Sequence, residues 1–268
     1  MKQKSFLLIS VIALNLTACQ PKSDLNPFKN TEWIDLTHSF DEHTLYWPND
    51  TNQFVHTPTH LGKTKAGYFY ASYSYSAPEH GGTHLDAPIH FAEGKKSVEQ
   101  IPFHQLINQA VCIPVDQKVA KNPDYQIQIE DIREFESEFG YIKDSTIVLF
   151  YTGFGKLYPN RKAYFGTSEK GNQALQKLHF PGLSPSAAEW LIQNRKIAAV
   201  GLDTPSLDFG QSKDFKTHQI LMNANIPGFE NLNQLDKLPF ASFQIIALPM
   251  KIKNGSGAPL RIIAGITQ

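Results

Sequence analysis

His80-Gly81-Gly82-Thr83-His84-Leu85-Asp86-Ala87-Pro88-Ile89-His90 places three imidazoles and one carboxylate within eleven residues. Two glycines and a proline exclude a regular helix here. Glycine permits tight backbone bends, so His80, His84 and Asp86 can converge on one point. Two neutral imidazoles and a carboxylate form a nitrogen and oxygen set suited to zinc or manganese. Three protein ligands leave positions open for water or substrate, as a catalytic metal requires and a closed structural one does not. Water bound there loses a proton near neutral pH. The competing reading is chance clustering in a chain with ten histidines. The density of the cluster and its glycines argue against chance.

Working outward, short apolar, β-branched runs predict strands at Trp33-Ile34-Asp35-Leu36, Tyr68 to Tyr75, Ala110 to Val115, Thr146 to Tyr151, Ile197 to Leu202, Phe243 to Leu248 and Leu260 to Ile266. Ser184, followed by Pro185, is an N-cap with proline at the first helical position, and predicts a helix through Ile192. Ile129 to Phe139 is a second helix, with Ile132 and Phe135 spaced for one buried face. Strands and helices alternate mainly in the second half, which implies a mixed α/β domain. The run Tyr68 to Tyr75 alternates enough to have one aromatic face, read as packing because Tyr and Phe are preferred strand residues.

Composition narrows the function classes. The chain has 268 residues, 25 Lys and Arg against 25 Asp and Glu, 41% hydrophobic and 12% aromatic residues. That is a folded globular protein rather than a tail or fibre. With no basic surplus to track a phosphate backbone, nucleic acid is not an expected partner. Two cysteines, Cys19 and Cys112, cannot build a disulfide framework. Cys112 lies in the apolar run Ala110 to Val115 and is expected to be a buried strand thiol without chemistry.

The first residues read as an address. Lys2 and Lys4 precede the apolar run Phe6 to Leu14, too short to span a bilayer comfortably but suited to a secretory signal. Leu16-Thr17-Ala18-Cys19 resembles the bacterial lipobox, in which cleavage precedes a cysteine that carries lipid. The expected organisation is therefore a signal peptide over 1–18, a lipidated Cys19 with a polar tether over 19–31, and one domain over 32–268. Gln20, where aspartate would favour inner-membrane retention, points to a periplasmic protein anchored to the outer membrane.

The eleven residues also match the pattern His-x-Gly-Thr-His-x-Asp-x-Pro-x-His of the cyclase-like metal-dependent hydrolases, which include bacterial kynurenine formamidase and isatin hydrolase. Tyr46-Trp47-Pro48-Asn49-Asp50 resembles the family's Trp-Pro-Gly-Asp turn, with Asn49 in place of glycine. Asparagine tolerates positive φ, so the turn can survive. Gly201-Leu202-Asp203-Thr204-Pro205-Ser206-Leu207-Asp208 ends a predicted strand, and Asn225 to Leu232 resembles the family's Glu-Asn-Leu signature. The resemblance runs from about Trp33 to Ile266.

The resemblance implies an α/β fold with a mixed β-sheet, barrel-like core and surrounding helices. It makes His80, His84 and Asp86 metal ligands and His90 the acid/base. His218 and Glu230 match positions that help hold a second zinc in the formamidases. Taken alone, those two residues read as a helix-surface histidine and a loop acid. One or two divalent ions, Zn or Mn, are thus expected, and a homo-oligomer is carried over from the family. The implied activity is hydrolysis of a carbon–nitrogen amide bond in an aryl formamide or cyclic amide. Trp47, Phe69 and Phe91 are the candidates for lining a pocket that takes a small flat molecule. Export argues against a role in tryptophan breakdown. The rival readings are a periplasmic metal-binding lipoprotein without enzymatic activity and a metal-dependent lyase on the same residues.

Overall fold

The computed structural model describes residues 30–267, so the signal-peptide expectation, Cys19 and the tether as far as residue 29 lie outside the described residues. In chain order the strands are β1 (Thr31–Asp35), β2 (Val55–Lys63), β3 (Phe69–Ser76), β4 (His84–Asp86), β5 (Ile107–Pro114), β6 (Gln126–Ile127), β7 (Ile147–Tyr151), β8 (Gly182–Leu183), β9 (Ala199–Leu202), β10 (Gly228–Glu230), β11 (Phe243–Pro249) and β12 (Gly257–Thr267). The α-helices are α1 (Phe103–Leu106), α2 (Asp116–Val119), α3 (Ile129–Phe139), α4 (Arg161–Phe165), α5 (Pro185–Arg195) and α6 (Lys216–Asn223).

Eight strands form one sheet in the order β1-β12-β11-β5-β7-β9-β10-β4, and a further pairing of β12 with β4 closes it into a barrel. β5, β7, β9 and β10 run parallel, while β11, β12 and β4 are joined by antiparallel pairings. The expected α/β domain with a barrel-like core and surrounding helices is the observed architecture.

Side-chain alternation divides the core. In β7, Ile147 and Leu149 turn into the barrel interior beside Cys112 and Phe229, while Val148 and Phe150 turn outward against α3 and α5. A strand buried on both faces is apolar without a break, and Ile147-Val148-Leu149-Phe150 reads that way. Each such side chain, fully buried, stabilises the fold by roughly 1.5–3 kcal/mol relative to exposure. The two predicted helices form as read. The Ser184 side chain accepts the N–H of Ala187 at 3.2 Å with Pro185 in the first turn, and α3 buries Ile132 and Phe135. Cys112 is buried on β5, and burial pushes its thiol pKa up, consistent with an inert side chain.

Two expectations are corrected. Asn49 does not adopt positive φ; the turn closes instead through the Asp50 N–H, which donates to the Trp47 carbonyl at 2.9 Å. The aromatic face of the predicted strand over Tyr68 to Tyr75 exists but packs on no core. β2 and β3 pair only with each other, as a hairpin separate from the barrel. Register places Phe69, Tyr73 and Tyr75 on one face with Leu61, and all four side chains are exposed.

Candidate metal centre

Strand alternation aims the site. Leu85 lies in the barrel interior, so His84 and Asp86 on either side of it face out of the barrel. On the neighbouring strand Phe229 also turns inward, and Glu230 pairs directly with His84, which puts both on the outward face. β4 is held between β10 and β12, with Asp86 opposite both Gly228 and Gly257. Upstream, Gly81 and Gly82 have φ of 147° and 58°. A Cβ on Gly81 would sit 2.2 Å from the Tyr46 ring. This bend swings His80 back until its Nδ1 is 2.7 Å from Asp86 Oδ1.

α6 brings in His218, which is buried rather than on the helix surface. Its Nε2 lies 3.1 Å from Asp86 Oδ2 and 3.1 Å from Glu230 Oε1. Glu230 is buried too, with its Oε1 accepting the Leu207 N–H at 2.8 Å. Two trios result, His80 with His84 and Asp86, and Asp86 with His218 and Glu230. In each trio one donor atom per residue lies within 4.8 Å of the others. Asp86 belongs to both, with Oδ1 facing His80 and His84 and Oδ2 facing His218.

The far nitrogen of each ring is already engaged. His84 Nδ1–H donates to the Gly82 carbonyl at 3.0 Å, and His218 Nδ1–H donates to Asp208 Oδ2 at 2.5 Å. The Ser256 hydroxyl spends its one proton on Glu79 Oε2 at 2.7 Å, so His80 Nε2–H must donate to Ser256 Oγ at 3.0 Å. The inner nitrogens therefore turn lone pairs towards carboxylate oxygens. Such acceptor-to-acceptor contacts hold only when protons or a cation lie between them. Protons can supply that charge, since Asp86 and Glu230, outweighing burial, raise the His84 pKa to about 9. The buried Asp86 is held well below the usual carboxylate range by His80 and His84, while burial and the neighbouring Asp86 push Glu230 up. Divalent ions supply the same charge to the same oxygen and nitrogen donors, and the donor chemistry of both trios fits them.

His90 ends the short turn Pro88–His90 and stacks on His80, ring centroids 3.8 Å apart. Burial lowers its pKa to about 3, so its imidazole is neutral at physiological pH. A cavity of about 300 Å³ opens over both trios and is lined by His90, Trp47 and Phe91. Phe69 is the exception among the residues expected to line it. It is 66% exposed on β3 and is not part of the cavity wall. The sequence reading missed Phe165 and Phe215, which line the cavity and meet Trp47 edge-on. Of the two acids in the Gly201 to Asp208 stretch, Asp203 turns away to accept the Thr152 and Gly155 N–H groups, and Asp208 reaches His218.

The sequence matches the family described as "Putative cyclase" over residues 34–209. The chain belongs to this cyclase family. This cyclase-family chain is 32% identical over 194 residues to the isatin hydrolase of Roseibium aggregatum, covering 69% of the chain and 71% of that relative. It is 28% identical over 229 residues to the kynurenine formamidase of Geobacillus thermodenitrificans, covering 85% and 95%. Its fold superposes on isatin hydrolase A from Labrenzia aggregata bound to benzyl benzoate with a TM-score of 0.80 at 31% identity, covering 90% of this chain and 95% of that one.

Because Asp86 serves both trios and Glu230 only one, their substitution should differ in effect. Asp86→Asn is expected to abolish stoichiometric Zn²⁺ uptake, while Glu230→Gln retains part of it, as measured by elemental analysis after dialysis. Equal retention in both variants would mean that Asp86 is not the shared ligand.

Proposed function

We propose that this protein is a metal-dependent hydrolase of a carbon–nitrogen amide bond, acting on a small aryl formamide or cyclic amide. The reading is carried by one observation: His90, stacked on His80, faces the same cavity as the two trios. It is supported by the isatin hydrolase and kynurenine formamidase relatives. His80, His84 and Asp86 would hold a divalent ion, Zn or Mn, and His218 and Glu230 would complete a second position with Asp86. A divalent ion bound there acts as a Lewis acid and lowers the pKa of water in its coordination sphere.

The remaining work falls to the chain. His90 takes the proton of the attacking water and returns it to the departing nitrogen, a role worth about 10²–10⁴-fold in rate. Its stack on His80 fixes the ring plane beside the ligands. Trp47, Phe91 and Phe215 offer ring faces and edges to a flat substrate, and their bulk displaces water from it. His90→Ala should keep the metal content of the wild type and lose about 10²–10⁴-fold in turnover. The assay is cleavage of N-formylkynurenine and isatin in parallel, before and after chelation. Full activity in the variant rejects the role of His90. Bound metal with neither compound cleaved favours a metal-binding protein, and a product that lacks solvent oxygen favours a lyase.

We also place the chain as a lipoprotein, periplasmic and anchored to the outer membrane through Cys19, supported by the lysines, apolar run and lipobox-like Leu16-Thr17-Ala18-Cys19. Mass spectrometry of the mature N-terminus should find a lipidated Cys19. An intact Met1 would overturn this.

A homo-oligomer is supported by the hairpin. Isolated two-stranded sheets are marginally stable in water, and Leu61, Tyr68, Phe69, Tyr70, Tyr73 and Tyr75 are exposed on or beside it. On the face shared by Leu61, Phe69, Tyr73 and Tyr75, the three rings, at roughly half of 150–250 Å² each, offer on the order of 300 Å² towards the ~800 Å² per partner of a standard interface. The strands and their turn contain Lys63 and Lys65 and no acidic residue, which suits an apolar partner such as a second copy. Phe69→Asp with Tyr73→Asp is expected to yield monomers by light scattering. An unchanged mass would rule out the hairpin as the contact.

A further inference from the structure

We infer that Asp208 is a positioning residue that commits His218 to metal binding, and that Ser256, backed by Glu79, does the same for His80, so that each of two ion positions has its own outer anchor. The inference rests on the metal-site reading above and adds residues that lie outside both trios.

Asp208 is buried, and its side-chain hydrogen bonds run to Ser212 and to the start of α6. Oδ1 accepts the Thr217 N–H at 3.0 Å and the Ser212 hydroxyl at 3.3 Å. Oδ2 accepts the His218 N–H at 3.1 Å and its ring Nδ1–H at 2.5 Å. One carboxylate thus fixes both the backbone and the ring of His218. An imidazole that gives its Nδ1 proton to an anion keeps its Nε2 lone pair, and that lone pair faces Asp86 and Glu230. The anion also makes Nε2 a stronger donor towards a cation.

His80 is held differently. Its Nε2–H donates to Ser256 Oγ, and Ser256 is fixed by Glu79 Oε2, which accepts its hydroxyl at 2.7 Å, its N–H at 2.9 Å and the Gly257 N–H at 3.3 Å. The ring is therefore flipped relative to His218, with Nδ1 left for the shared Asp86. His84 has only the Gly82 carbonyl behind it. The direct carboxylate stands behind the second position alone, and the relayed one behind the first.

The test compares wild type, Asp208→Asn, Asp208→Ala and Ser256→Ala as full chains in detergent, stripped with chelator and titrated with Mn²⁺. Ion number and affinity are read by equilibrium dialysis with elemental analysis, and the coupling between ions by electron paramagnetic resonance. Wild type should bind two ions with a spin-coupled signal. Both Asp208 variants should weaken one ion by about 10–100-fold and give an isolated-ion spectrum. Ser256→Ala should weaken the other ion, and adding it to Asp208→Asn should affect both. Metal-free Asp208→Asn should stay folded and melt below metal-free wild type, since its amide turns a donor towards groups that the carboxylate satisfied, yet only one ion should be weakened. Two ions bound with wild-type affinity in the Asp208 variants overturn the inference. So does weakening of both ions alike in Asp208→Asn, the mark of a merely structural role. Wild type that binds a single ion overturns the inference while leaving the hydrolase reading standing, and wild type that binds none overturns both.

Discussion

The site depends on one buried carboxylate. Asp86 sits on a three-residue strand held between β10 and β12, with its two oxygens turned to different histidines. Burying an anion is costly unless it is paired and hydrogen-bonded, and here three imidazoles answer it. Barrel closure makes that possible. β4 is short, but pairing on both edges fixes its register, and a slip of one residue would turn Leu85 out and His84 and Asp86 into the apolar interior.

Around that carboxylate, chemistry and shape are divided between chain segments. The His80 to His90 stretch supplies nitrogen and oxygen donors at close quarters, while the segment around Trp47 and the residues Phe165 and Phe215 supply the apolar wall. β4, β10 and α6 carry His84, Asp86, Glu230 and His218, while Trp47, Phe91 and Phe215 of the wall lie between the named strands and helices. The outer hydrogen bonds of the three histidines differ in kind, with a carboxylate behind His218, a hydroxyl behind His80 and a backbone carbonyl behind His84.

Much of the fold was legible locally. β7, α3 and α5 follow from apolar runs, spacing and a Ser-Pro helix start, and each formed where its residues said it should. β4 and β10 were not legible, because three residues are too few to show alternation and their strand character comes from pairing partners far along the chain. The aromatic face of β3 shows the converse limit. Tyr and Phe at alternating positions identify a strand, yet the same pattern serves a core or an exposed hairpin, and only the pairing of β2 with β3 alone distinguishes them. Phe69 lies outside the cavity wall of this chain for that reason.

By itself the sequence determined that His80, His84 and Asp86 gather nitrogen and oxygen donors in one bend, that His90 neighbours them, and that the domain is α/β, because these rest on residue type and spacing within one short segment or on local periodicity. The tertiary structure decided that His218, 132 residues from Asp86, faces the same carboxylate, that Glu230 lies beside His84, and that Asp208 and Ser256 stand behind the rings. Such convergence is set by barrel closure and by where α6 docks. Those are sums of many apolar contacts spread over the chain, and no local stretch of sequence encodes them.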